Sequence, residues 1–236
     1  SGLAPERDPP GSLSAVRPPL EEERHVGAAV ASVREEADEV LVVDGGSSDG
    51  TRRRAAEAGA RVLDSPRGRG VQLHRGAREA RGDWLVFLHA DTRLESGWRD
   101  AIEGVEALVV GGAFRFALDT TRPARFYSEW AARLRARSLG LAFGDQAIFC
   151  RRSAYERTGG FPPEPLMEDV AFFRALRRVG PTRHLSVRAH SSPRRWERDG
   201  PLVTTLRNNA LVLAYLAGVP PARLVRFYPP LSSGRS

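Results

Sequence analysis

Two short, uninterrupted apolar runs, at 40–43 and 84–88, each break off into a polar turn that carries an acid. The first runs into Asp44-Gly45-Gly46, the second into His89-Ala90-Asp91. A strand that is apolar on both faces has to be covered on both faces, and helical patterns able to cover these strands lie around them. Val26, Ala29, Val30 and Val33 precede the first run at the i, i+3, i+4, i+7 spacing of an amphipathic helix. Asp49-Gly50-Thr51 opens a second, Arg/Ala-rich helix, a short strand follows at 61–63, and Leu73, Ala77 and Ala80 line a third helix. With 13–16 as the first strand, this alternation predicts an α/β fold on a mostly parallel sheet flanked by helices. Right-handed crossovers bring the C-terminal ends of such strands to one edge, where open α/β sheets bind ligands. The chemistry is therefore expected just after Val16, Val43 and Leu88.

The second half changes character. Residues 109–118 alternate (Phe114, Phe116, Leu118) in the manner of a half-exposed strand, and Phe126, Trp130 and Leu134 space a helix with an Arg-rich outer face. A short strand is predicted at 147–150, and a helix is marked by Phe172, Leu176 and Val179. Leu202, Leu206, Ala210, Leu213 and Ala217 stripe a last long helix, ended by Gly218 and Pro220. Residues 1–12, rich in Pro, Gly and charge, read as a flexible lead-in.

At 236 residues the chain can bury a core without disulfide staples. Its one cysteine, Cys150, excludes a disulfide framework and a multi-cysteine metal cluster, and is expected to pack in the core. No apolar run reaches the ~18 residues of a membrane span. The stretch SGLAPERDPPGS has no secretory-type apolar segment, so a cytoplasmic protein is expected. The net charge is +7, and all 36 basic residues are Arg. Lys is absent, and Asn and Ile occur twice each, a joint depletion that GC-rich coding produces. A basic groove stays open as a second reading, because the guanidinium fork suits phosphates.

Four places can carry chemistry, each with a plain structural alternative. Asp44 can accept hydrogen bonds from a base or ribose, or belong to an ordinary turn beside an Asp49 helix cap. Asp91 can hold Mg²⁺ or Mn²⁺ on a phosphate, or cap a helix with Thr92; His89 points the same way if the segment is extended. Arg67-Gly68-Arg69-Gly70 can cradle a diphosphate at a helix N-terminus, or be a solvated basic loop. Glu168-Asp169, at a helix start, can supply a general base, or serve only as dipole partners. Arg194-Arg195-Trp196 can line a groove or cover a surface.

Taken in order, LVVDGGSSDGT, GDWLVFLHADTRL, FGDQAIFCRR, GGFPPEPLMEDVAFFRALRRVG and SPRRWERDG resemble the inverting family-two nucleotide-sugar glycosyltransferases of GT-A fold. The resemblance runs over residues 13–228. It implies that Pro18 and Leu20 line the base pocket, that Glu22 contacts the nucleoside, and that Asp44 faces base and ribose. It places Arg67, Arg69, Gln72 and His89 on the donor nucleotide, and Asp91 on a Mn²⁺ or Mg²⁺ ion at the donor diphosphate. Asp169, beside Glu168, is then the base that deprotonates the acceptor. His89 departs from the first Asp of the D-x-D pattern, Gly45 from a second Asp after the second strand, and Arg17 and Glu21 from the usual first loop. The FLHAD, GDQ and MED forms look most like a bacterial subfamily labelled by association with arsenosugar-biosynthesis and radical-SAM genes.

The resemblance divides the chain into the lead-in 1–12, a GT-A domain 13–198 (nucleotide-binding half 13–106, acceptor half 107–198) and a helical extension 199–236. It implies a metal-dependent transfer from a nucleoside-diphosphate sugar, UDP being commonest in relatives, to an acceptor that the sequence does not identify. The apolar helix at 202–217, with Arg223 and Arg226 beyond it, suits a peripheral membrane contact beside a lipid acceptor, internal packing, or a homodimer contact. Three rival readings compete with the transferase: a degenerate relative that binds nucleotide without turnover, a sugar-phosphate nucleotidyltransferase and a nucleic-acid binder. The second wants a Gly-rich first loop and a catalytic Lys, which residues 13–25 lack. The third wants clustered aromatics, whereas the Trp residues are scattered, so no nucleic-acid partner is expected.

Overall fold

A computed structural model of the chain describes residues 11–120, 129 and 140–228. Eight strands make one sheet in the order β3-β2-β1-β4-β7-β6-β8-β5. Strands β1 (Leu13–Arg17), β2 (Glu39–Asp44), β3 (Arg61–Asp64) and β4 (Trp84–Phe87) run parallel to their neighbours within this group. Helices α1 (Glu23–Arg34), α2 (Thr51–Glu57) and α3 (Arg69–Glu79) alternate with them along the chain. The continuous apolar runs are explained by the two cores they separate. Val40 and Val42 of β2 join Val26, Val30 and Val33 of α1 on one face, and Leu41 and Val43 join Leu73 and Ala77 of α3 on the other. This is the GT-A architecture, a Rossmann-like mixed sheet flanked by helices with further helices at the C-terminal end.

Beyond β4 the sheet turns antiparallel. Strand β7 (Ile148–Arg151) pairs antiparallel with β4 and with β6 (Gly111–Leu118). Strand β8 (Thr182–Ser191) runs parallel to β6 and antiparallel to the short β5 (Thr92–Leu94). Helices α4 (Trp98–Glu103), α5 (Arg152–Thr158) and α6 (Glu168–Val179) complete this half. Cys150 packs in the core, fully buried.

Of three expectations for the second half, one changes, one falls outside the described residues and one is narrowed. Strand β6 is not half-exposed but buried along nearly its whole length, because it lies between β7 and β8 with core on both faces. A Cβ on Gly112 would sit 1.8 Å from the Arg183 carbonyl oxygen, so glycine permits the close approach of β8. The helix expected around Phe126, Trp130 and Leu134 lies outside the described residues. The last long helix, α8 (Pro201–Leu216), follows α7 (Arg194–Asp199) and precedes α9 (Pro221–Leu224). Its leucine stripe does not face the core: Thr204, Thr205, Leu211 and Val212 are buried, and Leu202, Leu206 and Leu213 are exposed. Leu211 and Val212 join Leu166, Met167 and Val170 in a small third cluster, which fastens α8 beside the N-terminus of α6. No described helix is long and apolar enough to cross a membrane.

Candidate active site

At the C-terminal ends of β1 and β4 lies a cavity of about 400 Å³. Its wall takes Pro18, Leu20 and Glu22 from the loop after β1, Arg67, Arg69 and Gln72 from the start of α3, His89 and Asp91 from the loop after β4, and Asp169 from the first turn of α6. Of the residues singled out in the sequence, Asp44 and Glu168 do not line it.

Asp44 is fully buried at the end of β2, and its carboxylate is occupied by its own turn. It accepts hydrogen bonds from the Gly46 and Ser47 backbone N–H groups (3.1 and 2.9 Å) and from the Ser47 hydroxyl. The turn it builds is joined to the first loop by Glu21. That residue, held at φ +54°, accepts the Ser48 N–H at 2.7 Å and donates its own N–H to the Ser47 hydroxyl.

Gln72 is the joint of the donor side. Its Nε2 donates to the carbonyls of Pro19 (3.0 Å) and Val43 (2.8 Å), and its Oε1 accepts the Gly68 N–H (3.2 Å). One buried amide thus fixes the ends of β1 and β2 and the Arg67-Gly68 loop to each other. A Cβ at position 45 would lie 3.0 Å from this amide, so a side chain there would press on the joint.

Arg17 is buried beneath the loop that carries His89 and Asp91. Its guanidinium donates to the carbonyls of His89 (3.1 Å), Ala90 (3.3 Å) and Thr92. Burial pulls it down to about 9, against the attraction of Asp91. Across the cavity, Arg69 pairs with the fully buried Glu168. Burial raises the Glu168 carboxyl above the usual range, and the Arg69 guanidinium opposes that rise. Asp169 accepts the Gly144 N–H at 2.7 Å, which ties α6 to the Gly144–Gln146 turn. A Cβ on Gly144 would lie 1.9 Å from His89 Nε2, so any side chain there would displace the imidazole.

Of the two readings of Arg194-Arg195-Trp196, the structure supports the groove, since all three line the cavity. Arg194 donates to both Glu22 oxygens (3.0 and 3.1 Å) and to Asp91 (3.3 Å). Asp145, Asn208, Leu211 and Tyr228 also line the cavity, with Arg195 stacked 4.1 Å from the Tyr228 ring. The FGDQ and SPRRW segments signalled some of these; Tyr228 stands in no motif.

The donor set suits a divalent cation. One ring nitrogen of His89 and single carboxylate oxygens of Glu168 and Asp169 lie within 4.8 Å of one another. His89 Nε2 and Glu168 Oε2 are buried with no hydrogen-bond partner among the described residues. Burial first, then Arg69 and Arg17, hold the imidazole well below 6.5, so it is a neutral lone-pair donor at pH 7. Asp91, on the cavity wall, offers a further carboxylate of the kind that binds such ions together with phosphate oxygens.

Comparison with known proteins agrees with this geometry. The profile of glycosyl transferase family 2 matches residues 14–157, more than half of the chain. A glucosyl-3-phosphoglycerate synthase of Mycolicibacterium paratuberculosis is 36% identical over a 93-residue alignment that covers 34% of this chain and only 28% of that protein's length. The crystal structure of glucosyl-3-phosphoglycerate synthase from Mycobacterium tuberculosis, with Mn²⁺, UDP-glucose and phosphoglyceric acid, superposes with a TM-score of 0.61. It shares 21% identity over 89% of this chain and 81% of its own. A mannosyltransferase from Pyrobaculum calidifontis, with GDP-mannose and Mn²⁺, superposes with a TM-score of 0.61 at 21% identity, over 94% of this chain and 80% of its own. These relatives overturn the narrower likeness to an arsenosugar and radical-SAM-associated subfamily, since the curated matches include glucosyl-3-phosphoglycerate synthases. With its fold, its cavity and its matching profile, the chain belongs to glycosyl transferase family 2.

Proposed function

We propose that the chain transfers a hexosyl group from a UDP-sugar to an acceptor hydroxyl, with inversion at the anomeric carbon. The observation that carries this reading is the single cavity in which the β1 loop, the α3 N-terminus, His89-Ala90-Asp91 and Asp169 converge. Residues 13–106 supply its donor side, residues 107–198 the acceptor side, and the segment 199–236 closes one wall through α8.

Pro18 and Leu20 offer apolar surface to the base, and Glu22 a carboxylate to the nucleoside. Gln72 sets the loops around them. Asp44 acts through its turn, shaping the nucleoside pocket without entering it. Arg67 and Arg69 offer charge-assisted hydrogen bonds to the diphosphate, as their place at a helix N-terminus favours. We assign Mn²⁺ or Mg²⁺ to Asp91, with His89 beside it in the same loop, rather than to the His89, Glu168 and Asp169 group, because Arg69 already engages Glu168 and Asp169 is needed as the base. Such an ion, when bound, would neutralise the leaving diphosphate as a Lewis acid. The acceptor oxygen bonds to the anomeric carbon as the bond to the β-phosphate oxygen breaks. UDP leaves with the bonding pair, and Asp169 takes the acceptor's proton. The Gly144 N–H holds that carboxylate in place for the step.

Asp169→Asn is expected to lower kcat by ~10²–10⁴-fold while leaving UDP affinity unchanged. A loss below about tenfold counts against Asp169 as the base. The defining experiment is calorimetric titration with UDP and with GDP, in Mn²⁺, in Mg²⁺ and in EDTA, followed by turnover of UDP-glucose with 3-phosphoglycerate and other hydroxyl acceptors. Metal-enhanced UDP binding with sugar transfer supports the proposal. Binding without transfer to any acceptor supports the second reading, a relative that holds nucleotide without turnover. What favours that reading is Arg194, which already engages Asp91.

A further inference from the structure

The outer face of α8 is apolar and exposed. Leu206 and Leu213 are 57% and 60% exposed, and Leu202, Ala210 and Ala217 extend the same stripe at helical spacing. Phe227, just past α9, is 68% exposed. A helix on a globular surface ordinarily turns its apolar stripe inward. Here Leu211 and Val212 already fill the inward side, so α8 carries apolar side chains on two sides. Arg207 of α8 is paired with Asp199 of α7, but from Gly200 onward the sequence carries charge of one sign. From Gly200 to the end of the chain there is no Asp or Glu, while Arg207, Arg223, Arg226 and Arg235 all fall in that stretch. Arg223 and Arg226 are exposed, next to Phe227.

We propose that this face docks on an anionic lipid surface, with the leucines at the boundary of headgroups and acyl chains and Arg223 and Arg226 on the lipid phosphates. A leucine-faced helix beside exposed basic residues is the composition of helices that lie in a bilayer interface. Anionic leaflets attract such basic segments over about a Debye length. A second copy of this chain fits the face less well. A two-fold contact sets one patch against itself. Arg223 and Arg226 would then face their own copies, with no acid between 200 and 236 to receive them. The docking is separable from donor binding, because the cavity takes its lining from the other side of α8, from Asn208, Leu211 and Val212.

The test is co-sedimentation of the full chain with two kinds of vesicle: phosphatidylcholine alone, and phosphatidylcholine mixed with phosphatidylglycerol. The chain is expected to pellet with the mixed vesicles only, and to be released by high salt. Leu206→Asp combined with Leu213→Asp is expected to weaken binding by at least about tenfold. Arg223→Ser and Arg226→Ser are expected to weaken it by about fivefold each, without altering the helix face. Circular dichroism and UDP titration establish that each variant is folded. Absence of pelleting with the mixed vesicles at low salt overturns the proposal. So does equal pelleting with both kinds of vesicle. A solution dimer that the leucine variant dissociates, with no vesicle binding, assigns the face to a second copy instead.

Discussion

Arg194 holds Asp91 and Glu22 at once, so any cation that Asp91 takes must compete with a guanidinium already in place. A half-exposed pair of this kind is worth about 1 kcal/mol. Arg194→Met is therefore expected to tighten Mn²⁺ binding to the nucleotide-free protein by about fivefold, read by calorimetry or by the loss of the free-ion paramagnetic signal. Unchanged affinity would show that the ion does not use Asp91. Histidine titration gives a second expectation. Burial holds His25, His74, His89 and His184 below the ordinary 6.5, His89 most strongly. The unfolded chain then binds protons that the native chain refuses, so stability is complete above 6.5 and falls as pH drops below it. His89→Gln, which cannot titrate, is expected to lose less melting temperature than the parent between pH ~7 and ~5.5, in EDTA. Equal losses would mean that His89 is not held neutral. At this scale the site was only partly legible. Asp91, Arg69 and Asp169 stand at strand ends and helix starts, where sequence marks chemistry. The role of Asp44 was not legible, because whether an acid faces a ligand or its own turn depends on a side-chain rotamer. Neither were the hydrogen bonds that the Gln72 amide donates to carbonyls 53 and 29 residues away.

Among the elements, β6 carries the tightest constraint. Gly112 lets the β8 backbone approach so closely that an added Cβ would overlap the Arg183 carbonyl. Gly112→Ala must push apart two neighbouring strands inside the second half of the sheet, because the obstacle is backbone and cannot rotate away. Overpacking of this kind costs ~1–3 kcal/mol, and here the upper end is expected, measured as a lowered urea midpoint. A midpoint within error of the parent would show that β6 and β8 can separate cheaply. The same pair shows why some elements were readable and others not. Strands β1, β2 and β4 announced themselves through apolar runs, since both of their faces meet core. Strand β8, with the sequence TRHLSVRAHS, is polar along most of its length and gave no such signal. Helix α8 announced itself by its leucines, but their periodicity left open whether the stripe packs inward or faces out, and it faces out.

For the molecule as a whole, the open question is whether a net charge of +7 reflects coding bias or use. The cavity wall itself is nearly balanced, with Arg67, Arg69, Arg194 and Arg195 against Glu22, Asp91, Asp145 and Asp169. A nucleoside diphosphate therefore meets no large excess of positive charge at short range. Any steering comes from the remaining arginines, at distances where salt screens. The Debye length falls from about 20 Å to about 7 Å between ~20 and ~200 mM salt, so that steering should be lost over this interval. Contacts inside the cavity are screened much less. If the charge is used, the association rate of UDP should drop by several-fold, on the order of threefold to tenfold, while its dissociation rate changes by less than about twofold. Stopped-flow fluorescence at the two salt concentrations separates the rates. An association rate indifferent to salt would assign the arginine excess to coding composition and leave recognition to the residues that line the cavity.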